Sequence, residues 1–550
     1  MQNNTTSKRD IWSLITLVII LLYALVLVLP LITLLKESIV KDGGFSLDYF
    51  TEFFTKKYYY STLFNSLKVT VAVTLASLVI ATPLAYIMTN FKIKGKLFLQ
   101  ILILISSMAP PFIGAYAWIL LMGRNGVVTN FLSDVFHITM PDIYGFSGIL
   151  IVLTLQLTPL IYMFMMGAFK SIDNSLIEAA ESMGYTGLKK VWKVIMPLMI
   201  PTILAGSLLV FMRALADFGT PMLIGEGFET LPVLIFNEFT SEMGGDSGFA
   251  AAISVIVVVI ALTIFLLQKY VTNKKSFSMS ALHPIKEKKE TGIRNVLAHL
   301  FVYGYLAFAI LPQLYVVYTA FLKTSGRIFV KGYSLDSFKT AFTRSGDTIV
   351  HTFTLGLVAL FFVILIAILI AYVTVRRRSA VTNGLDIISM VPYIVPGSVL
   401  GVALLLGFNS KPFLLSGTAT IIIIAFVIRR LPYTIRSSAA IIHQINPSVE
   451  EAAASLGASN LKTFFKITLP MMLPGVISGA ILSWVTIISE LSTSILLYTV
   501  NTKTMTIGIY TEVIRGNYGV AAALSTILIA ITVISLLIFF KLTGKKEVSL

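Results

Sequence analysis

Four acidic residues of this chain fall in register: Glu178 with Glu451 and Asp217 with Glu490, each pair 273 residues apart. Asp217 and Glu490 close long apolar runs. Two carboxylates brought to one cavity would attract a cation through hard oxygen ligands. The plainer alternative is a helix-end carboxylate that caps backbone N–H groups. Glu178 and Glu451 sit in polar loops, where a carboxylate serves contact with a partner rather than a reaction. No constellation for covalent chemistry accompanies these residues. The chain has no cysteine, which removes thiolate metal sites and disulfides. His137, His283, His299, His351 and His443 are scattered without ligand spacing. No G-x-x-x-x-G-K-[ST] stretch cradles nucleotide phosphates. The expectation is a protein that is not an enzyme and holds no resident cofactor.

The elements that must position these residues are membrane helices. Of the 550 residues 56% are hydrophobic and 12% charged, with a mean hydropathy of +0.88. That excludes an ordinary soluble domain and predicts an all-α polytopic membrane protein. Twelve segments reach the length needed to cross a bilayer: about 11–35, 62–90, 97–122, 147–169, 196–217, 249–271, 296–321, 349–375, 385–408, 416–442, 470–490 and 520–541. The net charge of +16 is gathered in short basic runs between them, as in cytoplasmic loops, and not in a nucleic-acid-binding face. Lys8, Arg9, Lys92, Lys94, Lys96, Lys170, Lys189, Lys190 and Arg376–Arg378 all fall in even-numbered loops, which places both termini in the cytoplasm. The basic segment 323–344 runs against that count, which places it outside.

The carboxylate register extends into a duplication. Glu178-Ala179-Ala180, Gly184, Pro197 and Pro201 recur as Glu451-Ala452-Ala453, Gly457, Pro470 and Pro474 with the same internal spacing. Pro159 matches Pro432, Gly206 matches Gly479, and Ala85-Tyr86 matches Ala371-Tyr372. Each half holds six spans in one orientation, so the repeats are parallel and related by a pseudo-twofold along the membrane normal. The expected organisation is a first half over 1–271 (core about 62–271), a cytoplasmic linker over 272–294 and a second half over 295–550 (core about 349–541).

Each repeated loop is expected to fold as a short helix, a turn at the glycine and a second basic helix. Asp173 or Asn174 caps the first helix in one copy and Asn446 stands there in the other. Leu176, Ile177, Ala179, Ala180 and Met183 supply an apolar face, and the glutamate is held by the Lys-rich second helix or by donors of a partner. Interfacial anchoring helices are the bland alternative, but identical spacing in two copies argues for docking. At this point the residues resemble a known loop. Glu-Ala-Ala, three residues, Gly, then Ile/Val-x-x-Pro is similar to the EAA loop of type I, binding-protein-dependent ABC-importer permeases. In that family the loop docks in a cleft of a separate cytoplasmic ATPase, which fits a chain without a P-loop.

The resemblance implies a fused, two-half permease in a bacterial inner membrane. Its partners would be two copies of an ATPase, an extracellular or periplasmic solute-binding protein and the lipid bilayer. Glu178, Ala179, Ala180, Gly184, Glu451, Ala452, Ala453 and Gly457 would couple it to the ATPases. Within the class the chain is most similar to ferric-iron permeases, through Leu215-Ala-Asp-Phe-Gly-Thr-Pro221 and Ser489-Glu-Leu-Ser-Thr493. Asp217 and Glu490 would then be transient ligands for Fe³⁺; Tyr162 and Tyr433, polar positions within spans, line the path or pack in the core. Phosphonate, hexose phosphate, thiamine or polyamine cargo are the alternatives within the class. A twelve-helix secondary transporter is the alternative outside it, and leaves the repeated loop unexplained. Arg213, one turn before Asp217, is expected to pair with it. Arg429 and Arg430 are expected to snorkel from the end of span ten, Tyr116 and Gln156 to pack or line the path, and the prolines near 110 and 392 to kink spans three and nine.

Overall fold

A computed structural model describes residues 11–108, 110–241, 245–274, 287, 291–326 and 328–543. The expected cytoplasmic termini and most of the 272–294 linker lie outside the described residues. The first half comprises α1 (Ile11–Ile39), α2 (Asp48–Thr55), α3 (Lys57–Asn90), α4 (Lys96–Met108), α5 (Pro111–Met122), α6 (Val127–Phe136), α7 (Phe146–Ser171), α8 (Asn174–Ser182), α9 (Gly187–Lys190), α10 (Met196–Leu215), α11 (Gly219–Ile224), α12 (Leu231–Thr240) and α13 (Ser247–Lys274). The second comprises α14 (Gly292–Ala320), α15 (Asp336–Arg376), α16 (Ala380–Ile394), α17 (Gly397–Gly407), α18 (Ala419–Gln444), α19 (Ser448–Ser455), α20 (Asn460–Thr463), α21 (Leu469–Ile488), α22 (Ser494–Leu497), α23 (Met505–Ile514) and α24 (Tyr518–Thr543).

Among the described residues nine helices are long and apolar enough to cross a membrane, or up to eleven if each bent pair counts as one span. Expected span ten is the 26-residue α18, whose apolar run is interrupted by Arg429, Arg430 and Arg436. Expected span nine is more than kinked. It breaks between α16 and α17 by 111°. Pro392 and Pro396 both lack the N–H that would carry the ladder across this stretch. Span three has its counterpart break at Pro110-Pro111.

Each half is built on a three-helix core, α3–α7–α10 and α15–α18–α21. In the second core α21 lies close against α18. A Cβ on Gly479 would stand 2.5 Å from the Thr434 Cα, so only glycine admits that approach. The first helix of each half packs across the duplication. α1 lies on α15 and α17 of the second half, and α14 lies on α3, α4, α5 and α7 of the first.

The duplication also reaches further toward the N-terminus of each half than the matched motifs indicate. A short antiparallel hairpin, Val40–Lys41 with Gly44–Phe45, precedes α2, and a longer one, Leu322–Ser325 with Ile328–Tyr333, precedes α15. After each comes Ser-Leu-Asp-x-Phe. Ser46 Oγ accepts from the Asp48 N–H at 3.0 Å, and Ser334 Oγ from the Asp336 N–H at 2.9 Å. The basic segment 323–344 is therefore the counterpart of residues 40–56, and the repeat puts both on one side.

Candidate functional site

The two repeated loops fold alike. Asp173 Oδ1 accepts from the Ser175 N–H at 2.9 Å, and Asn446 Oδ1 from the Ser448 N–H at 3.0 Å, so each starts its helix on an oxygen cap. Gly184 and Gly457 end those helices at φ +83° and +82°. Both lie in the left-handed region that L side chains avoid. One residue past α9 and α20 the ladder widens into a π turn at matched positions, Val191–Ile195 and Phe464–Thr468. The Met196 and Leu469 N–H groups reach back five residues to Val191 O and Phe464 O. Pro197 and Pro470 follow at once, and neither has an N–H to continue the regular ladder.

The loops point apolar side chains outward. Ile177, Ala180 and Ala453 are buried, but Met183 is 70% exposed and its counterpart Leu456 is 90% exposed. Trp192 and its counterpart Phe465 are 66% and 60% exposed. The expected single apolar face is thus divided. Part of it seats the helix on the membrane domain, and Leu176, Ala179 and Met183 stay open. Glu178 and Glu451 are also exposed. The basic second helix does not hold the motif glutamate. Glu178 accepts from Asn174 Nδ2 at 2.6 Å, and Lys190 pairs instead with Glu181 at 2.5 Å.

Sequence reasoning missed what fixes the second loop. Glu450, beside the motif Glu451, accepts from Arg376 Nε and from Thr468 Oγ1, both at 3.0 Å. Arg376 also donates to Ile445 O at 2.8 Å. One guanidinium at the end of α15 therefore ties the start of the loop to the membrane domain, and Glu450 links that start to Thr468 at the loop's far end. The position equivalent to Glu450 in the first loop is the buried Ile177. The same anchoring is apolar in one copy and ionic in the other. Trp12 of α1 adds a ring contact to the second loop, with centroids 4.5 Å from Tyr372 and 5.0 Å from Phe464. The Glu450-Glu451 doublet was the available signal, since one motif position needs only one glutamate.

Asp217 and Glu490 occupy matched positions but different surroundings. Asp217 is buried at the start of α11, where it accepts from the Thr220 N–H at 2.9 Å and Thr220 Oγ1 at 3.4 Å. That is the capping role. Glu490 is 5% exposed and holds two arginines. Arg429 Nη1 donates to its Oε1 at 2.7 Å, and Arg430 Nη2 to its Oε2. The Thr493 N–H adds a third bond at 3.0 Å. Both oxygens of Glu490 thus face arginines, whereas Asp217 takes the helix-end role that was the alternative to metal ligation. Among the described residues no group of three or more histidines and carboxylates is placed to hold a metal ion.

The arginines likewise depart from expectation. Arg430 is buried in mid-helix, because a carboxylate sixty residues later in the chain receives it and snorkelling is unnecessary. Arg213 pairs not with Asp217 but across the halves, donating from Nη2 to Tyr433 Oη at 2.5 Å. Tyr433 thus lies at the seam between halves. Tyr162 is buried, its hydroxyl 3.1 Å from Met166 Sδ, and Tyr116 donates to Tyr518 O at 2.7 Å. Both are core residues.

Residues 81–276 and 363–544 each match the family described as the binding-protein-dependent transport system inner membrane component. The chain belongs to that family. The permease is 27% identical to the ferric transport system permease protein FbpB of Actinobacillus pleuropneumoniae over 96% of its own length and 78% of the relative's. It is 28% identical to the putative ferric transport system permease protein FbpB 1 of Haemophilus influenzae, over 88% of the chain and 78% of the relative. The putative 2-aminoethylphosphonate transport system permease protein PhnV of Salmonella typhi is 25% identical over 42% of the chain and 88% of its own length. As a multi-pass membrane permease, this chain carries no catalytic function of its own.

Proposed function

We propose that this permease imports ferric iron, with two ATPase subunits docked on its repeated loops and an extracellular binding protein supplying the cargo. Two relatives that align with most of the chain are named as ferric permeases, and that similarity carries the choice of iron. The matched loops, each with an exposed glutamate and an outward apolar residue before a left-handed glycine, support the ATPase reading. Glu178, Gly184, Glu451 and Gly457 are the coupling residues in this account. The loops, and with them both termini, lie in the cytoplasm. ATP binding and hydrolysis in the partners would drive the two halves between outward and inward access. The test is iron uptake by cells expressing the whole transporter, compared with cells carrying Gly184→Trp or Gly457→Trp. Loss of uptake and of ATPase co-purification is expected; wild-type levels of both would remove the coupling assignment.

A further inference from the structure

The seam between the halves is strongly basic for a membrane interior. Arg430 lies fourteen residues before the end of α18, roughly 20 Å along the helix from its loop end. Arg213 approaches from the other half and remains exposed although it belongs to a membrane-spanning helix. Tyr433 receives its hydrogen bond, and Tyr393, in the last turn before the α16–α17 break, sits 5.8 Å from the Tyr433 ring. α17 begins beside them. A Cβ on Gly397 would stand 2.1 Å from Arg429 Nη1, so the helix N-terminus abuts that guanidinium. Arg429 and Arg430 share one carboxylate, Glu490, and Arg213 has only the Tyr433 hydroxyl, so with Asp217 counted as ionised the three arginines still leave the seam positive.

Two polar groups here are buried with no hydrogen-bond partner among the described residues. Arg430 is 6% exposed with a free Nε, and Ser398, in the first turn of α17, is 1% exposed with a free Oγ. A buried donor without an acceptor costs about 1–3 kcal/mol, and embedded charge is retained where it acts on what crosses. The first-turn N–H groups of α17 add positive potential at the same place. A bare cation is repelled by the guanidinium groups and by the helix N-terminus, whereas an oxyanion supplies the acceptors that the free donors lack.

We propose that Arg213, Tyr433, Arg429, Arg430 and the N-terminus of α17 form an oxyanion station, and that cargo passes it as a net anion. The anion is a free phosphate- or carboxylate-type ion, or ferric iron enclosed by such ligands. This rests on the importer reading and narrows it, because unliganded Fe³⁺ is not the crossing species.

The experiment uses the full chain with its ATPase subunits in lipid nanodiscs, titrated calorimetrically with inorganic phosphate and with ferric citrate. Arg213 is the residue to vary, because its hydrogen bond goes to Tyr433 and not to the buried Glu490. Saturable binding of at least one probe is expected, weakened tenfold or more by Arg213→Gln, lost in Arg213→Glu and largely kept in Arg213→Lys. Binding of phosphate assigns a site for free oxyanions; binding of ferric citrate alone assigns one for the chelate. No saturable binding of either probe, or equal binding by Arg213→Glu, overturns the station. Radioactive iron uptake in cells separates this from the iron reading. Phosphate binding without iron uptake removes iron and keeps the station, whereas uptake untouched by Arg213→Glu removes the station and keeps iron.

Discussion

Replacing Gly184 or Gly457 isolates backbone conformation from contact. Both glycines have φ near +80°, and a Cβ at either meets nothing within 4 Å. Alanine therefore adds no clash. It adds only the left-handed penalty of about 1–2 kcal/mol, which lowers the folded-to-unfolded ratio of an exposed loop by about 5–30-fold. Asparagine tolerates this conformation better and should recover much of that loss. Tryptophan should match alanine in loop stability, since there is no neighbour in the chain to strike, yet block a docked partner. Amide hydrogen exchange over 175–185 and 448–458 reads the loop, and ATPase co-purification reads the docking. Exchange should order as glycine, asparagine, then alanine with tryptophan, and only tryptophan should abolish co-purification outright. If alanine and asparagine exchange like the wild type at both sites, the left-handed turn does not hold the loop and the reasoning fails.

Three further outcomes follow from the geometry. Glu450→Ala removes the carboxylate that accepts from Arg376, Thr468 and, at 3.5 Å, Tyr372, the two shorter bonds each worth about 1.5–3 kcal/mol; exchange should rise in the second loop and not in the first. Met183→Ser and Leu456→Ser remove exposed apolar contacts, so ATPase affinity should fall while the melting temperature holds; a melting shift without an affinity change would assign them to packing. Arg430→Leu leaves buried Glu490 with one arginine, a loss of about 3–5 kcal/mol. Folded yield should therefore fall well below that of Arg436→Leu, whose partner Asp386 stands 3.4 Å away at an exposed position.

The duplication was legible because a charged motif with fixed Gly and Pro spacing stands out in an apolar chain. The caps at Asp173 and Asn446 and the turns at Gly184 and Gly457 were legible for the same local reasons. Proline marked where spans three and nine depart from straight helices, but the 111° turn depends on how α17 packs, which no local pattern carries. Arg429 and Arg430 misled because hydropathy shows the cost of a buried charge and not the carboxylate that receives it. Glu490 lies sixty residues away and becomes a partner only when α21 packs on α18. Arg213 was assigned a neighbour in sequence, whereas its partner Tyr433 is in the other half. The crossing of α1 and α14 between halves is likewise a long-range contact. Ser-Leu-Asp-x-Phe was present twice and readable, but it lies outside the motifs that revealed the repeat.

In the proposed transporter one chain offers two equivalent docking loops. Native mass spectrometry of the full chain co-expressed with a candidate ABC ATPase from the same organism measures this directly. Two ATPase subunits per chain are expected, falling to one with either Gly184→Trp or Gly457→Trp and to none with both. A single ATPase on the wild-type chain, or two retained by the double variant, would contradict the account.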